Sequence, residues 1–308
     1  MGRTRSHNTL YNQMTRSINN SFCPGISKRH DKQVGDYHPM SKVYSYAEKK
    51  ALMDTAKDFS KWIKGNHGNI KMIKDIDSKI INEYLQIKSN TCTTNTIKVI
   101  SSRLTKIGVL ASTMFNRTID WKTNEIPNGK ETLRTVAMKE EDYKEIVSAN
   151  SKSYGKIAVE LSHAFGLRVS ECVRIRVCDI KGNQLIIYKS KGGKTRVLDI
   201  ENEEQKIVIH KMKVLSEKNN LDVKDKIINI KSQSANKWLR DRCKQLGITT
   251  YNNHKTSFHS IRKNWALREY AKEMNVTKDK KEAWSNVCEK LGHGRNREDL
   301  RNIYLPKN

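Results

Sequence analysis

The residues best suited to chemistry lie in the second half of the chain. Arg168 stands within FGLRVSE, between one apolar run at helical spacing (Ile157, Ala158, Leu161, Ala164, Phe165) and another (Val169, Cys172, Val173, Val177). Gly166 supplies the left-handed residue that commonly closes a helix, and Ser170 and Glu171 suit the orphan amides of a first turn. A guanidinium held between two rigid elements offers a planar fork of donors to a phosphate or carboxylate, which a flexible lysine does less well. The same arginine has a plainer reading as a structural residue paired with Glu171 or Asp179. Further on, His259-Ser-Ile-Arg262 puts an imidazole and a guanidinium on one face of a helical turn. Leu291-Gly-His293-Gly sets a histidine between glycines that let the backbone approach a ligand, and Tyr304 stands near the end. Singly, these also have plainer readings: a chance HxxR in a basic chain, a histidine satisfied at a helix C-cap, an anchoring aromatic.

The elements that must position these residues follow from hydrophobic periodicity. Helices near Lys139 to Ala149 and Tyr154 to Phe165 lead into Arg168. After Asp179 the period becomes extended. Gln184 to Lys189 and Thr195 to Ile200 are β-prone runs flanking Ser190 to Lys194 (SKGGK), whose glycines mark a hairpin turn. Helical patterns return near Glu203 to Ser216, Ser234 to Leu246, Phe258 to Met274 and Lys281 to Leu291. This half of the chain reads as mostly helix with a small antiparallel sheet.

Ahead of it, Leu52, Ala56, Phe59 and Ile63 form one apolar stripe, and Ile76, Ile80, Ile81, Tyr84 and Leu85 a second after the N-cap Asp77. Ile97, Ile100, Leu104, Ile107 and Met114 form a third. Together they predict an all-α bundle of about four helices. Lys98, Arg103 and Lys106 lie off the third stripe, where they either grip phosphates or make a solvated face. Thr123 to Lys130, with Pro127, Asn128 and Gly129, breaks the pattern and marks the boundary. Residues 1–40 carry Arg3, Arg5, Arg16, Lys28 and Arg29 with few large apolar groups, and read as a flexible basic arm, tracking DNA or simply solvated. The expected organisation is an arm at 1–40, a helical domain at 41–125 and a second domain at 131–308.

With 59 Lys and Arg against 33 Asp and Glu in 308 residues, the net charge of +26 calls for a dense polyanion as partner, and nucleic acid is the obvious one. No apolar run approaches the ~18 residues of a membrane-spanning helix, and the N-terminus lacks the apolar core of a signal peptide. The expectation is a soluble, cytoplasmic protein with no membrane partner. Cys23, Cys92, Cys172, Cys178, Cys243 and Cys288 show neither CxxC pairing nor zinc-like spacing to histidine, so they read as free thiols, and no metal site is expected.

In this order and at these spacings, the motifs resemble the tyrosine recombinase, or phage integrase, family. GLRVSE carries the family's first arginine at Arg168, and SKGGKTR corresponds to its KGxKxR turn, placing the catalytic lysine at Lys191. His259 and Arg262 match the HxxR box, LGH supplies His293, and Tyr304 matches the nucleophile. The resemblance covers residues 42–308 or so. It implies a mainly α (α+β) fold, with an all-α core-binding bundle (SAM-like) followed by a helical catalytic domain with a small antiparallel sheet. Two departures stand out. The loop RNREDLRN makes the His293 to Tyr304 spacing longer than usual. The chain also stops at Asn308, whereas many relatives continue into a tail that packs on a neighbouring subunit, so subunit exchange by that route is not expected.

The resemblance implies a site-specific recombinase that cuts and rejoins duplex DNA through a 3′-phosphotyrosyl link, in integration, excision or plasmid resolution, without metal, ATP or other cofactor. Arg168 and Arg262 would stabilise the charge on the nonbridging oxygens. His259 would accept the phenolic proton, Lys191 would protonate the 5′ oxygen and His293 would hydrogen-bond the phosphate. Lys98, Arg103, Lys106, Lys194 and Arg196 are the candidate DNA contacts. A homotetramer on two DNA sites, assembled from monomers or dimers and associated with the nucleoid, is expected. The alternatives are a type IB topoisomerase, which needs no synapsis, and a non-catalytic DNA-binding protein on the same scaffold.

Overall fold

The computed structural model describes residues 9–123, 125–130, 136–148, 153–188, 190, 195–251 and 257–305, and the chain divides into two compact units, Met1–Thr132 and Leu133–Asn308. Among the described residues, no helix is long and apolar enough to cross a membrane.

The first unit is helical: α1 (Leu10–Asn20), α2 (Lys28–Gln33), α3 (Tyr46–Asn66), α4 (Ser78–Ser89) and α5 (Thr94–Phe115). The cap signals read from sequence act as caps, with Asp77 Oδ1 accepting from the Ile80 amide at 3.0 Å. Leu52, Phe59 and Ile63 from α3, Ile81, Tyr84 and Leu85 from α4, and Ile97, Leu104 and Ile107 from α5 share one core with Trp121.

The flexible arm expected over residues 1–40 is corrected from residue 9 onwards; residues 1–8, with Arg3 and Arg5, lie outside the described residues. Leu10, Met14 and Ile18 of α1 are buried in that same core. Gln13, also buried, donates from Nε2 to the Lys71 carbonyl at 3.0 Å and accepts from the Ile73 amide at 3.0 Å. Beyond α1 the chain is tied back by Val43 N donating to Ser21 O at 2.9 Å and Cys23 N to Val43 O at 3.0 Å. The helix was missed because its apolar stripe is only one residue wide per turn amid polar neighbours, so composition outweighed periodicity. Lys106 is a second correction. It is 6 % exposed, and its Nζ donates to Glu48 Oε1 and to the Lys42 carbonyl, both at 2.7 Å. Its neighbours Leu104 and Ile107 turn that part of α5 inward. Lys98 remains exposed and Arg103 half-buried.

The second unit runs α6 (Glu140–Val147), α7 (Tyr154–Phe165), α8 (Val169–Cys172), β1 (Ile180–Lys181), β2 (Gln184–Ile187), β3 (Arg196–Asp199), α9 (Glu203–Lys218), α10 (Ser232–Gln245), α11 (Ser257–Thr277), α12 (Lys280–Lys290) and α13 (Arg301–Tyr304). The strands form an antiparallel sheet in the order β1-β2-β3, with Leu185 opposite Leu198 and Ile187 opposite Arg196. The helix α7 is the axis of this unit, and Ile157, Ala158, Leu161, Ala164 and Phe165 all reach its core. A polar cluster around the buried His163 fixes α11 against it. His163 on α7 has Nε2 3.2 Å from Glu140 of α6 and Nδ1 on Glu204 of α9, while Arg268 of α11 donates to the His163 carbonyl at 2.6 Å. A separate cluster of Trp265, Trp284, Val287, Leu291 and Tyr304 holds the C-terminal helices together. The cysteines are free, with Cys172, Cys243 and Cys288 buried.

Candidate active site

The helix α7 ends at Gly166, whose φ of +61° is the left-handed cap expected from its sequence, and a side chain there would collide with the Trp265 indole. The chain then turns so that Arg168 becomes the N-cap of α8. Its guanidinium donates from Nη1 to Glu171 Oε1 at 2.8 Å, and Nη2 approaches His293 Nε2 at 3.3 Å. The pairing with Glu171 and the approach to the histidine coexist, so Arg168 is anchored on one side and presented on the other.

Arg262, 1 % exposed, projects from the second turn of α11. It donates through Nη1 to the Gly166 carbonyl and through Nη2 to the Leu291 carbonyl at 2.6 Å, which fixes its plane between the ends of α7 and α12. Its Nε lies 3.3 Å from Tyr304 Oη, and its Nη2 lies 3.3 Å from His293 Nε2. Burial pushes Arg262 down to about 10, with Arg168 adding to the fall and Tyr304 opposing it, so the guanidinium stays charged near neutrality.

His293 follows Gly292, whose φ of +73° stops α12, and its amide donates to Cys288 O at 2.9 Å. The C-cap reading and the site reading of this motif are therefore both met. Burial, then Arg262 and Arg168, push His293 down to about 3. A neutral imidazole facing two guanidiniums must offer them its unprotonated nitrogen, so Nε2 is the acceptor and Nδ1 carries the proton.

Tyr304 ends α13 and is 2 % exposed, with Oη 3.1 Å from His293 Nε2. The longer loop before it is not loose. Trp284 Nε1 donates to the Arg297 carbonyl at 2.9 Å, Arg295 pairs with Glu289 at 3.1 Å, and Arg301 donates to Tyr270 Oη at 3.3 Å. Tyr304 is thus docked within its own chain. His259, half-buried on the first turn of α11, meets the same phenol edge to face with ring centroids 5.4 Å apart.

Glu171 is the residue whose weight the sequence did not reveal. Besides Arg168, its buried carboxylate receives Arg196 through Nη2 at 2.9 Å and Ser190 Oγ at 2.8 Å. Burial alone would raise its pKa. The hydrogen bonds and charge of Arg196, the Arg168 amide and the charge of Arg262 reverse that and hold the carboxyl below the usual carboxylate range. The available signal was the i, i+3 spacing from Arg168. Arg196, expected at the DNA surface, is instead turned inward onto Glu171, with its side chain 10 % exposed. Lys191 and Lys194 lie outside the described residues. Among the described residues, no group of three His, Cys, Asp or Glu is arranged to hold a metal ion.

Residues 137–284 match the model of the phage integrase family. This stretch is a phage integrase domain. Arg168, His259 and Arg262 lie within the match, whereas His293 and Tyr304 lie beyond it and join the integrase domain by geometry. The fold is that of tyrosine recombinases. The chain superposes on XerH site-specific recombinase bound to difH substrate with a TM-score of 0.64 at 14% identity, covering 100% of this chain and 95% of that one. It superposes on a lambda integrase dimer bound to a COC′ core site with a TM-score of 0.62 at 18% identity, covering 90% and 93%. For a lambda integrase tetramer bound to a Holliday junction the values are 0.62 and 17%, covering 91% and 77%. No curated protein matches the sequence.

Proposed function

We propose that the chain is a site-specific tyrosine recombinase that cleaves and rejoins duplex DNA through a 3′-phosphotyrosyl intermediate, needing neither metal nor ATP. The observation that carries this reading is the convergence of Arg168, Arg262 and Tyr304 on His293 Nε2 within 3.3 Å. Two fixed guanidiniums beside a phenol are the groups needed to bind a phosphodiester and attack it. Tyr304 Oη forms a bond to phosphorus, the bond from phosphorus to the 5′ oxygen breaks, and Arg168 and Arg262 stabilise the charge gathered on the nonbridging oxygens.

The phenol, with a reference pKa of about 10, must lose its proton as it attacks. His293 is the imidazole within hydrogen-bond reach at 3.1 Å, while His259 faces the ring edge. Burial is the main cause of the low His293 pKa, and a bound phosphate anion would offset the smaller contribution of the two guanidiniums, raising the basicity of the ring when the proton has to move. The departing 5′ oxygen takes its proton from Lys191. Because the phosphotyrosyl link conserves the energy of the phosphodiester, a second 5′ hydroxyl reverses the step.

The first unit, Met1–Thr132, would serve as the core-binding domain, with Lys98 and Arg103 on phosphates, joined by Lys194 of the second unit. Four protomers on two DNA sites would complete the reaction, in a cytoplasmic, nucleoid-associated protein. With +26 on the chain, duplex affinity should fall with salt at about −0.9 per neutralised phosphate. The test is a nicked suicide substrate in EDTA without ATP. The parent should run on a denaturing gel as a retarded, DNA-linked band. Absence of that band, or its appearance only with magnesium, rejects the reading, and relaxation of supercoiled DNA without paired sites would redirect it to a topoisomerase.

A further inference from the structure

The C-terminal end of α7, from which the chain departs toward Arg168, is closed by side chains of two other helices. The last carbonyls of a helix have no amide further along to accept from, and the partial negative charge gathered there favours cationic donors. Arg262 of α11 donates to the Gly166 carbonyl, Arg268 of the same helix donates through Nη2 to the His163 carbonyl at 2.6 Å, and Gln205 of α9 donates through Nε2 to the Ala164 carbonyl at 3.1 Å. Gln205 is buried, and its Oε1 accepts from the Glu201 and Asn202 amides at 2.8 and 3.2 Å, so its side-chain amide is held on both sides. Arg268 is exposed as a whole, yet its second terminal nitrogen is also engaged, donating to Glu204 Oε2 at 3.1 Å.

We propose that Arg268 and Gln205 are positioning residues for Arg262, holding α11 and the first turn of α9 against the end of α7 so that the Arg262 guanidinium meets His293 and Tyr304. This rests on the recombinase reading above. Arg262 takes its plane from the Gly166 and Leu291 carbonyls, so its Nε and Nη2 stand 3.3 Å from Tyr304 Oη and His293 Nε2 only while α11 keeps its place along α7. A single hydrogen bond between two helices leaves them free to turn about it. Arg268 adds a second from α11, to a carbonyl about one α7 turn from the first. Glu204 and Gln205 are consecutive in α9, so this helix grips the arginine with one residue and the end of α7 with the next. An exposed arginine that served only to neutralise Glu204 could leave its remaining donors to water, whereas Arg268 spends one on the carbonyl beside which Arg262 is anchored. The pocket needs its guanidinium fixed to a fraction of an ångström, and this frame supplies the constraint from outside the pocket.

The test compares single-turnover formation of the covalent complex on two nicked substrates, one with the ordinary scissile phosphodiester and one with a methylphosphonate, in which a methyl group replaces a nonbridging oxygen and removes its charge. The neutral ester asks less of the guanidiniums and so forgives a misplaced Arg262, whereas a general loss of folded protein slows both substrates equally. Arg268→Ala and Gln205→Met, which keeps the bulk and removes the amide, should slow cleavage of the ordinary ester by roughly ten- to a hundredfold, the scale of a misplacement of about 1 Å, and that of the methylphosphonate by less than about threefold. Arg268→Lys, whose ammonium still reaches the His163 carbonyl, should regain part of the ordinary rate. Equal losses on both substrates overturn the proposal, as does an undiminished rate on the ordinary ester. Should the parent leave the neutral ester uncleaved, the ordinary ester decides in an Arg262→Lys background, where Arg268→Ala should cost little more and a loss as large as in the parent overturns the proposal. A thermal melt identifies a variant that fails to fold, and the other of the pair then carries the decision. A parent that forms no covalent complex on the ordinary ester rejects the recombinase reading itself, a failure visible before any variant is compared.

Discussion

Tyr304 Oη lies 3.1 Å from His293 Nε2 within the same chain, so the phenol already rests against a neutral proton acceptor. Tyr304→Phe keeps the ring among Trp284, Leu291 and Trp265 and removes only the oxygen. The variant should bind duplex normally, form no covalent complex on the suicide substrate, and lose about 0.5–1.5 kcal/mol of stability for the lost hydrogen bonds. Should the retarded band persist, Tyr270, in contact with Arg301, is the next phenol to test.

Acid should act on the fold through His293. The unfolded chain takes up this proton near 6.5, whereas the folded chain holds the ring neutral down to about 3. The folded pKa is the lower one, so the histidine's contribution is complete above 6.5 and is lost as pH falls from there toward 3. Thermal midpoints should therefore drop more steeply through this window in the parent than in His293→Gln. Parallel curves would show that the ring is not held neutral.

Glu171→Ala leaves Arg168, Arg196 and Arg262 facing one another without their common anion. The cost should be on the order of 3–5 kcal/mol, read from urea denaturation at neutral pH, because breaking a buried pair strands its partners. The carboxyl is held below its ordinary range, so its contribution is complete above that range and declines as pH falls through it. The stability gap between parent and Glu171→Gln should narrow accordingly in acid.

Arg168→Lys retains charge but cannot hold Glu171 through one nitrogen and face His293 with another, as the arginine does at 2.8 and 3.3 Å. Cleavage should fall by roughly 10²–10³, the loss seen for one oxyanion donor, with duplex affinity little changed. Single-turnover cleavage beside a binding titration separates the two, and a matched loss of affinity would make Arg168 a general DNA contact.

Met14→Ala should destabilise the first unit by about 2–5 kcal/mol, since the side chain is fully buried between α3 and α5. A solvated arm would register almost nothing. Urea unfolding of the parent and the variant decides between these outcomes.

Most of the architecture was legible because it rests on local signals. The stripe from Ile157 to Phe165 with Gly166 behind it and the cap at Asp77 each carry their geometry in a few consecutive residues. What escaped depends on partners distant in sequence. Met14 and Ile18 look incidental until α3 and α5 close over them, and Lys106 looks solvated until Glu48 arrives from α3. Arg196 looked like a surface cation because nothing nearby in the sequence announces that Glu171 will be buried without enough positive charge around it. The candidate site residues were singled out by type, spacing and family resemblance. Their contacts were not legible there, since the hydrogen bond between His293 Nε2 and the Tyr304 phenol depends on where α12 stops.

The burial of α1 also sets a timetable for synthesis. Its apolar face is completed by α3 and α5, which follow it in the chain, so α1 must wait for the last helix of its unit to emerge before its seat is complete. Until Thr94–Phe115 and Trp121 have emerged, Leu10, Met14 and Ile18 are exposed on a nascent chain already rich in lysine and arginine. An affinity tag fused close to Leu10 would therefore sit beside an apolar face that folding still has to cover.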